Sequence, residues 1–430
     1  MIRHFNEKLK DWSQSKRRKP LILRGARQVG KTWLVENFAK ANYSDFLKID
    51  LEKKVNLREI FSRNLDPKEI LSDLELITGH KITIGHTLLF IDEIQNCPQA
   101  LVALRYFYEE MPELHIVAAG SLIEFALEEI SFPVGRVQFM DIFPMNFSEF
   151  LIATNKELLA DKLLDDPASV STSVHNKLID ELKTYFVIGG MPECIQTFID
   201  SGSIIQSFDV QSEILDSYQQ DFSKYAKHSD HACLNNVLLN LSQKVGDQIK
   251  YTQLNTLHTG PTNHKAFDLL CKARLINKIP SCNPSGLPLG GSVNFKKFKA
   301  SILDIGLMQR LCQLPIHSEI RQSDLLEIYR GRLAEQFVAQ ELSYSRNREL
   351  YYWSREARSS QAEVDFVTTQ ESKIIPIEVK SGKGGSLRSL HYMLKEYSNL
   401  KNGIVLNTNQ YSVLPNQNLT FLPLYYAGQL

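Results

Sequence analysis

No two of the six cysteines form a CxxC pair. Cys97, Cys194, Cys233, Cys271, Cys282 and Cys312 lie scattered through 430 residues, so neither a zinc site nor a disulfide framework is expected. Reduced, partly buried thiols are the expectation. Long apolar runs are missing too, and none reaches the length that crosses a bilayer. The opening MIRHFNEKLKDW is charged and interrupted, without the apolar stretch and small-residue cleavage site of a secretory leader, which points to the cytoplasm. Net charge is the third absence. Lys plus Arg is 49 and Asp plus Glu is 49, so no overall field draws in polyanions, and any nucleic-acid contact must come from a local patch. What is present is 43% hydrophobic residues in a chain longer than one core usually spans, which implies two to three packed domains.

The first 150 residues carry the strongest chemistry. After an amphipathic helix and the basic run Lys16, Arg17, Arg18, Lys19, residues 20–24 read as an apolar strand. GARQVGKT follows: Gly25, Ala26, Arg27, Gln28, Val29, Gly30, Lys31 and Thr32 fit GxxxxGK[ST] in full, ahead of the helical pattern TWLVENFAK. Glycines let backbone N–H groups turn toward phosphates, and the following helix adds its positive end. Lys31 is expected to reach the outer phosphates and Thr32 to ligate magnesium. Residues 86–95, HTLLFIDEIQ, read as a buried strand ending in two acids, at the sheet edge where ligands bind. Asp92 is the expected magnesium carboxylate, and Glu93 is expected to orient and deprotonate the attacking water. The expected cofactors are ATP and Mg2+, with GTP left open as the base. The strand 114–119 ends in Gly120 and Ser121. Here the sequence resembles AAA-type ATPases, which implies Ser121 as a γ-phosphate sensor; a helix N-cap is the alternative. Arg136, in PVGRVQF, falls where such ATPases can place an arginine against nucleotide across a subunit boundary, with a surface ion pair as the alternative.

Residues 146–225 read as mainly helical, with GGMPE (Gly189, Gly190, Met191, Pro192, Glu193) as a helix junction, open to a place near the nucleotide. Residues 231–315 give short helices, a β-prone stretch and a Gly-rich loop, an order that suggests a winged helix. Its second helix, 263–273, carries His264, Lys265 and Lys272; its wing carries Lys296, Lys297 and Lys299 beside Phe295 and Phe298. Basic residues with interleaved aromatics suit a nucleic-acid backbone. They equally suit a solvated hairpin or a protein-docking module.

A second acidic set lies near the end. A helix over 325–346 carries Glu335, a strand over 362–368 carries Asp365, and 373–380 reads KIIPIEVK. Alternation puts Glu378 and Lys380 on one face and Ile375, Ile377 and Val379 on the core face. Asp365 and Glu378, completed by Glu335, are the expected ligands of Mg2+ or Mn2+, with Lys380 stabilising charge on a phosphodiester. A helix over 386–400 and a strand over 403–407 follow in the order of a crossover unit. This resembles the PD-(D/E)xK nuclease superfamily, with Asp365, Glu378 and Lys380 on its D…ExK pattern and Val364 in place of the usual proline. An ordinary ion pair between Glu378 and Lys380 is the alternative.

Taken together, the phosphate loop, FIDEIQ, PVGR, GGMPE, DIGL at 304–307 and the run from GRLAEQFV through EVDF to PIEVKSG resemble prokaryotic AAA-type ATPases with an appended C-terminal domain of unknown function. The expected fold class is α/β: an AAA-type P-loop ATPase domain with a parallel sheet over 1–150, a helical lid-like region over 151–230, a winged-helix-like domain over 231–318 and a restriction-endonuclease-like domain over 319–430. Three readings stand. An ATPase gates a nuclease, an ATP-switched module binds DNA or a partner protein without cutting, or a signalling ATPase assembles into an oligomer. None involves a membrane.

Overall fold

The computed structural model describes residues 2–128, 130, 135–225, 228–313, 325–347, 349–355, 362–380 and 386–430. Contacts divide the chain into two units: Met1–Phe143 with Lys272–Arg274, and Pro144–Cys271 with Leu275–Leu430.

In the first unit, five short strands form one parallel sheet: β1 (Leu21–Arg24), β2 (Asp45–Asp50), β3 (Thr87–Asp92), β4 (His115–Gly120) and β5 (Gln138–Asp141). Their order is β2-β3-β4-β1-β5. Helices cover both faces, so β3, TLLFID, is buried along its whole length and shows no alternation. Ile22, Leu89, Ile91 and Ala118 of the sheet pack with Leu101, Leu104 and Phe107 of helix Pro98–Glu110. Proline at the first turn of that helix removes an N–H that would lack a helical partner. The order matters for function. β4 alone separates β1 from β3, and all run parallel, so the loop after β1 and the acids ending β3 emerge at one edge.

The second unit combines helices with a mixed eight-stranded sheet. Its strands are β6 (Ile276–Cys282), β7 (Val293–Ile302), β8 (Tyr351–Ser354), β9 (Glu363–Gln370), β10 (Lys373–Val379), β11 (Gly403–Asn407), β12 (Ser412–Leu414) and β13 (Leu419–Pro423). They lie in the order β12-β13-β11-β10-β9-β8-β6-β7. β9 and β10 pair antiparallel, and β10 and β11 pair parallel through the crossover helix Arg388–Glu396. The expected wing is corrected here. Hairpin β6–β7 follows helix Gly260–Lys272, but β6 joins β8, so strands on both sides of residue 318 share one sheet. Phe295 and Lys296 are exposed, whereas Phe298 and Lys299, also read as wing residues, are buried. On β10 the expected core face has Ile377 and Val379 buried and Ile375 half-buried, and Ile374, Pro376 and Glu378 on the other face are buried as well.

Buried polar groups tie the helices to this sheet. Helix Leu325–Ser345 presents Gln336, whose amide accepts from the Ile302 N–H at 2.9 Å and donates to its carbonyl at 2.7 Å. Asp304 accepts from the Gly190 N–H at 2.6 Å and the Leu307 N–H at 3.0 Å, which joins the GGMPE junction to DIGL. GGMPE does separate two helices, Thr172–Ile188 and Pro192–Ser201.

Candidate functional site

Strand β1 ends at Arg24 and the chain turns at once into the phosphate loop. A Cβ at Gly25 would run into the Ile142 carbonyl oxygen, and Gly30 has φ 87°, a left-handed conformation, where it caps helix Lys31–Asn42. Gln28 adopts φ 62° without being glycine, so the loop backbone holds a sparsely populated conformation of the kind found at ligand clamps. The Lys31 ammonium is buried and donates to the Gly25 carbonyl at 3.0 Å and the Ala26 carbonyl at 2.7 Å. Burial pulls its pKa down to about 8, against the pull of Glu93 and Asp92. A cation stored where water solvates it poorly fits an incoming polyphosphate. Arg27 lies 3.7 Å from Glu52.

At the end of β3, the Thr32 hydroxyl donates to Asp92 Oδ2 at 3.0 Å, so two expected magnesium groups already meet. Lys48 of β2 joins them, with its Nζ 3.1 Å from Asp92 Oδ2 and 3.0 Å from Glu36. Glu93 takes φ 51°, and its carboxylate accepts from the Gln95 side-chain amide. Burial raises the Glu93 pKa, while the Gln95 hydrogen bond and the charge of Lys31 oppose the rise. Ser121 is buried and its hydroxyl has no hydrogen-bond partner among the described residues. No cap bond uses it, and a buried unpartnered hydroxyl at the tip of β4 fits a phosphate oxygen. Arg136 sits elsewhere. Its side chain is 46% exposed and bonds Glu109 at 2.8 Å, the ion-pair arrangement.

Sequence reasoning missed two supports of this edge. Arg3 donates to the Val29 carbonyl at 3.0 Å and the Phe143 carbonyl at 2.6 Å, which props the loop from behind. Arg24 meets Asp141 at 2.5 Å, and Arg274 meets Glu124 at 2.6 Å and Asp141 at 2.9 Å. No local pattern marks either set, since the partners are far apart in the chain. Gln95, by contrast, lies within the run 86–95 already identified and carries a donor aimed at Glu93, while Lys48 lies on β2, a strand the sequence reading did not single out.

The second unit brings Glu335, Asp365, Glu378 and Lys380 together and adds Glu363 and Lys299. Lys299 of β7, its side chain 3% exposed, places Nζ 2.6 Å from Glu363, 3.2 Å from Asp365 and 3.4 Å from Glu335. Asp365 Oδ2 accepts from the Val379 N–H at 2.9 Å, and Lys380 donates to Glu378 Oε1 at 2.7 Å. Glu378 Oε2 is buried and unpartnered among the described residues. Burial, reinforced by Asp365, raises Glu335 to about 8 and Glu378 to about 7. The fit to a divalent metal fails on this geometry. A lysine ammonium stands among the oxygens where an ion would coordinate, and among the described residues no group of three or more His, Cys, Asp or Glu is set to hold a metal. The expected basic face is also partly neutralised: His264 lies 3.2 Å from Asp268, and Lys272 lies 2.5 Å from Glu128.

Residues 17–151 match the family described as AAA domain. Residues 179–319 and 330–427 match two families, each described as a domain of unknown function (DUF8612 and DUF4143), and neither description names a nuclease. No curated protein matches the chain. Among solved structures the chain is similar to the Walker-type ATPase paby2304 of Pyrococcus abyssi, at 15% identity over 72% of this chain and 96% of that one, TM-score 0.48. It is also similar to the Orc1 protein of Aeropyrum pernix, solved in complex with DNA, at 11% identity over 73% and 93%, TM-score 0.30. The Thermotoga maritima RuvB Holliday junction branch migration motor is a third, at 14% identity over 65% and 90%, TM-score 0.30. Among the described residues no helix is long and apolar enough to cross a membrane.

Proposed function

We propose that this chain, which carries an AAA-type P-loop ATPase domain, hydrolyses ATP with magnesium and uses the nucleotide to control a second unit that binds DNA or a partner protein without cutting it. The observation that carries the ATPase reading is the convergence at one sheet edge of the phosphate loop, the Thr32–Asp92 pair and a Glu93 carboxylate held by Gln95. When bound, magnesium neutralises charge on the outer phosphates. Thr32 and Asp92 would hold it, and Lys31 would exchange its two carbonyl partners for phosphate oxygens. Glu93, fixed by the Gln95 amide, orients a water and takes its proton. Ser121 donates its unpartnered hydroxyl to the terminal phosphate.

Against cutting stands Lys299, which occupies the acidic cluster. In favour of cutting stands the meeting of Asp365, Glu378 and Lys380, and this second reading is tested beside the first. Steady-state ATP hydrolysis with Mg2+ is expected in the wild type. Glu93→Gln is expected to retain nucleotide binding and lose at least roughly a hundredfold in kcat, the usual worth of a positioned base. Wild-type turnover in Glu93→Gln would remove the assigned base. Cleavage of single-stranded, duplex or supercoiled DNA or of RNA with Mg2+ or Mn2+, abolished in Glu378→Ala, would replace the binding-module reading with a nuclease.

A further inference from the structure

The geometry points to Lys299 as a tethered counter-ion that takes the divalent-cation position in the second unit's carboxylate cluster, so that this cluster excludes metal while Lys299 is in place. The inference rests on the binding-module reading above and deepens it by saying what keeps the cluster from metal chemistry.

Lys299 comes from β7, while the carboxylates come from helix Leu325–Ser345 (Glu335), β9 (Glu363 and Asp365) and β10 (Glu378). Its Nζ lies between 2.6 and 3.4 Å from three of them. A divalent ion takes carboxylate oxygens at about 2.0 to 2.6 Å. An ammonium and a metal cannot share that space, and the ammonium is held by more than charge. Its nitrogen lies 5.5 Å from the centroid of the Tyr352 ring, whose hydroxyl accepts from Gln248 at 3.1 Å. Gly246, two residues earlier, lies so close to Glu335 that an added Cβ would meet its carboxylate at 2.8 Å. The wall is therefore packed around the charge.

Charge also argues that the cluster is built for a cation. Glu335, Glu363, Asp365 and Glu378 are four acids against the two ammonium groups of Lys299 and Lys380. Glu378 Oε2 is buried, 95% of that residue being out of solvent, and has no partner among the described residues. Removing Lys299 leaves Glu335, Glu363 and Asp365 without their shared ammonium, near a buried and unpartnered Glu378 oxygen, and a divalent ion is a cation that would draw these oxygens together.

The test is Mn2+ binding by the nucleotide-free full chain, followed by electron paramagnetic resonance, in wild type, Asp365→Asn, Lys299→Met and Lys299→Met with Asp365→Asn. The expected result is no Asp365-dependent Mn2+ in the wild type. Lys299→Met should gain one Mn2+ at least tenfold tighter than any wild-type site, and lose it again with Asp365→Asn. Wild-type Mn2+ that disappears in Asp365→Asn would overturn the inference, and so would a folded Lys299→Met that binds none. Should Lys299→Met fail to fold, the wild-type and Asp365→Asn pair still decides. ATP hydrolysis in the same preparations judges the phosphate-loop reading separately, and the cleavage assay judges the binding-module reading. Asp365-dependent Mn2+ without cleavage would thus sink Lys299 alone.

Discussion

Gln95 shows how much a single side chain can decide at this edge. Its amide donates to Glu93, a carboxylate in a left-handed backbone position whose pKa is raised by burial. Truncation in Gln95→Ala removes the positioning bond and is expected to lower kcat roughly tenfold to a hundredfold while nucleotide affinity stays near wild type. The pH profile gives the sharper check. A general base works only when deprotonated, so kcat should fall on the acid side, at a pH above the ordinary carboxylate range. The hydrogen bond favours the ionised form, so its loss in Gln95→Ala should move that limb to still higher pH. An acid limb that stays put would mean that Gln95 does not hold the base. Gly25 and Lys31 were recognisable because their chemistry is written in eight consecutive residues. Arg3 was not, because its partners Val29 and Phe143 are 26 and 140 residues away.

Among the elements, helix Phe147–Ala153 is a clear case of local encoding. Asn146 accepts from the Glu149 N–H and the Glu149 side chain accepts from the Asn146 N–H, a complete capping box. Asn146→Ala should cost about 1 kcal/mol in chemical denaturation. The GGMPE junction depends instead on a distant group. Asp304→Ala would leave the buried Gly190 and Leu307 N–H groups without their acceptor, at about 1 to 3 kcal/mol each. Equal losses in the two variants would argue against that network. Strands β1, β3, β4, β9, β10 and β11 were readable from their residue patterns, as β11 was over 403–407, whereas β2, β5, β8, β12 and β13 were not. The role of hairpin β6–β7 was not. Helix, helix and hairpin in sequence look the same whether the hairpin stands free or joins a sheet, and only its pairing with β8 distinguishes them.

At the scale of the whole molecule, buried acids set how stability depends on pH. Glu341 is raised to about 8 by burial and accepts from the Phe147 N–H at 2.9 Å; Glu335 is raised to about 8 and Glu378 to about 7. A carboxyl whose folded pKa exceeds its unfolded value binds its proton more tightly when folded. Its contribution is complete below the unfolded pKa, about 4.3, and is lost as pH rises through the folded one. Unfolding free energy should therefore fall between pH 5 and 8. Glu341→Gln, which keeps an acceptor for Phe147, should flatten the slope. A slope of opposite sign in urea titrations across that range would refute this account.

The sequence by itself determined what is local: a phosphate loop of consecutive residues, acids at the end of an apolar strand, and a carboxylate and lysine two apart where β10 ends. These follow from short-range spacing and from the alternation or continuity of apolar residues. Tertiary structure alone decided the surroundings. It brought Lys48 to Asp92, placed Arg136 on Glu109 and carried Lys299 to acids 36 and 66 residues further along. The physical reason is register. Which strand lies beside β8, and which face a lysine on β7 presents, depends on long-range pairing that no window of neighbouring residues encodes, yet it determines whether an acidic cluster meets a metal ion or an ammonium group.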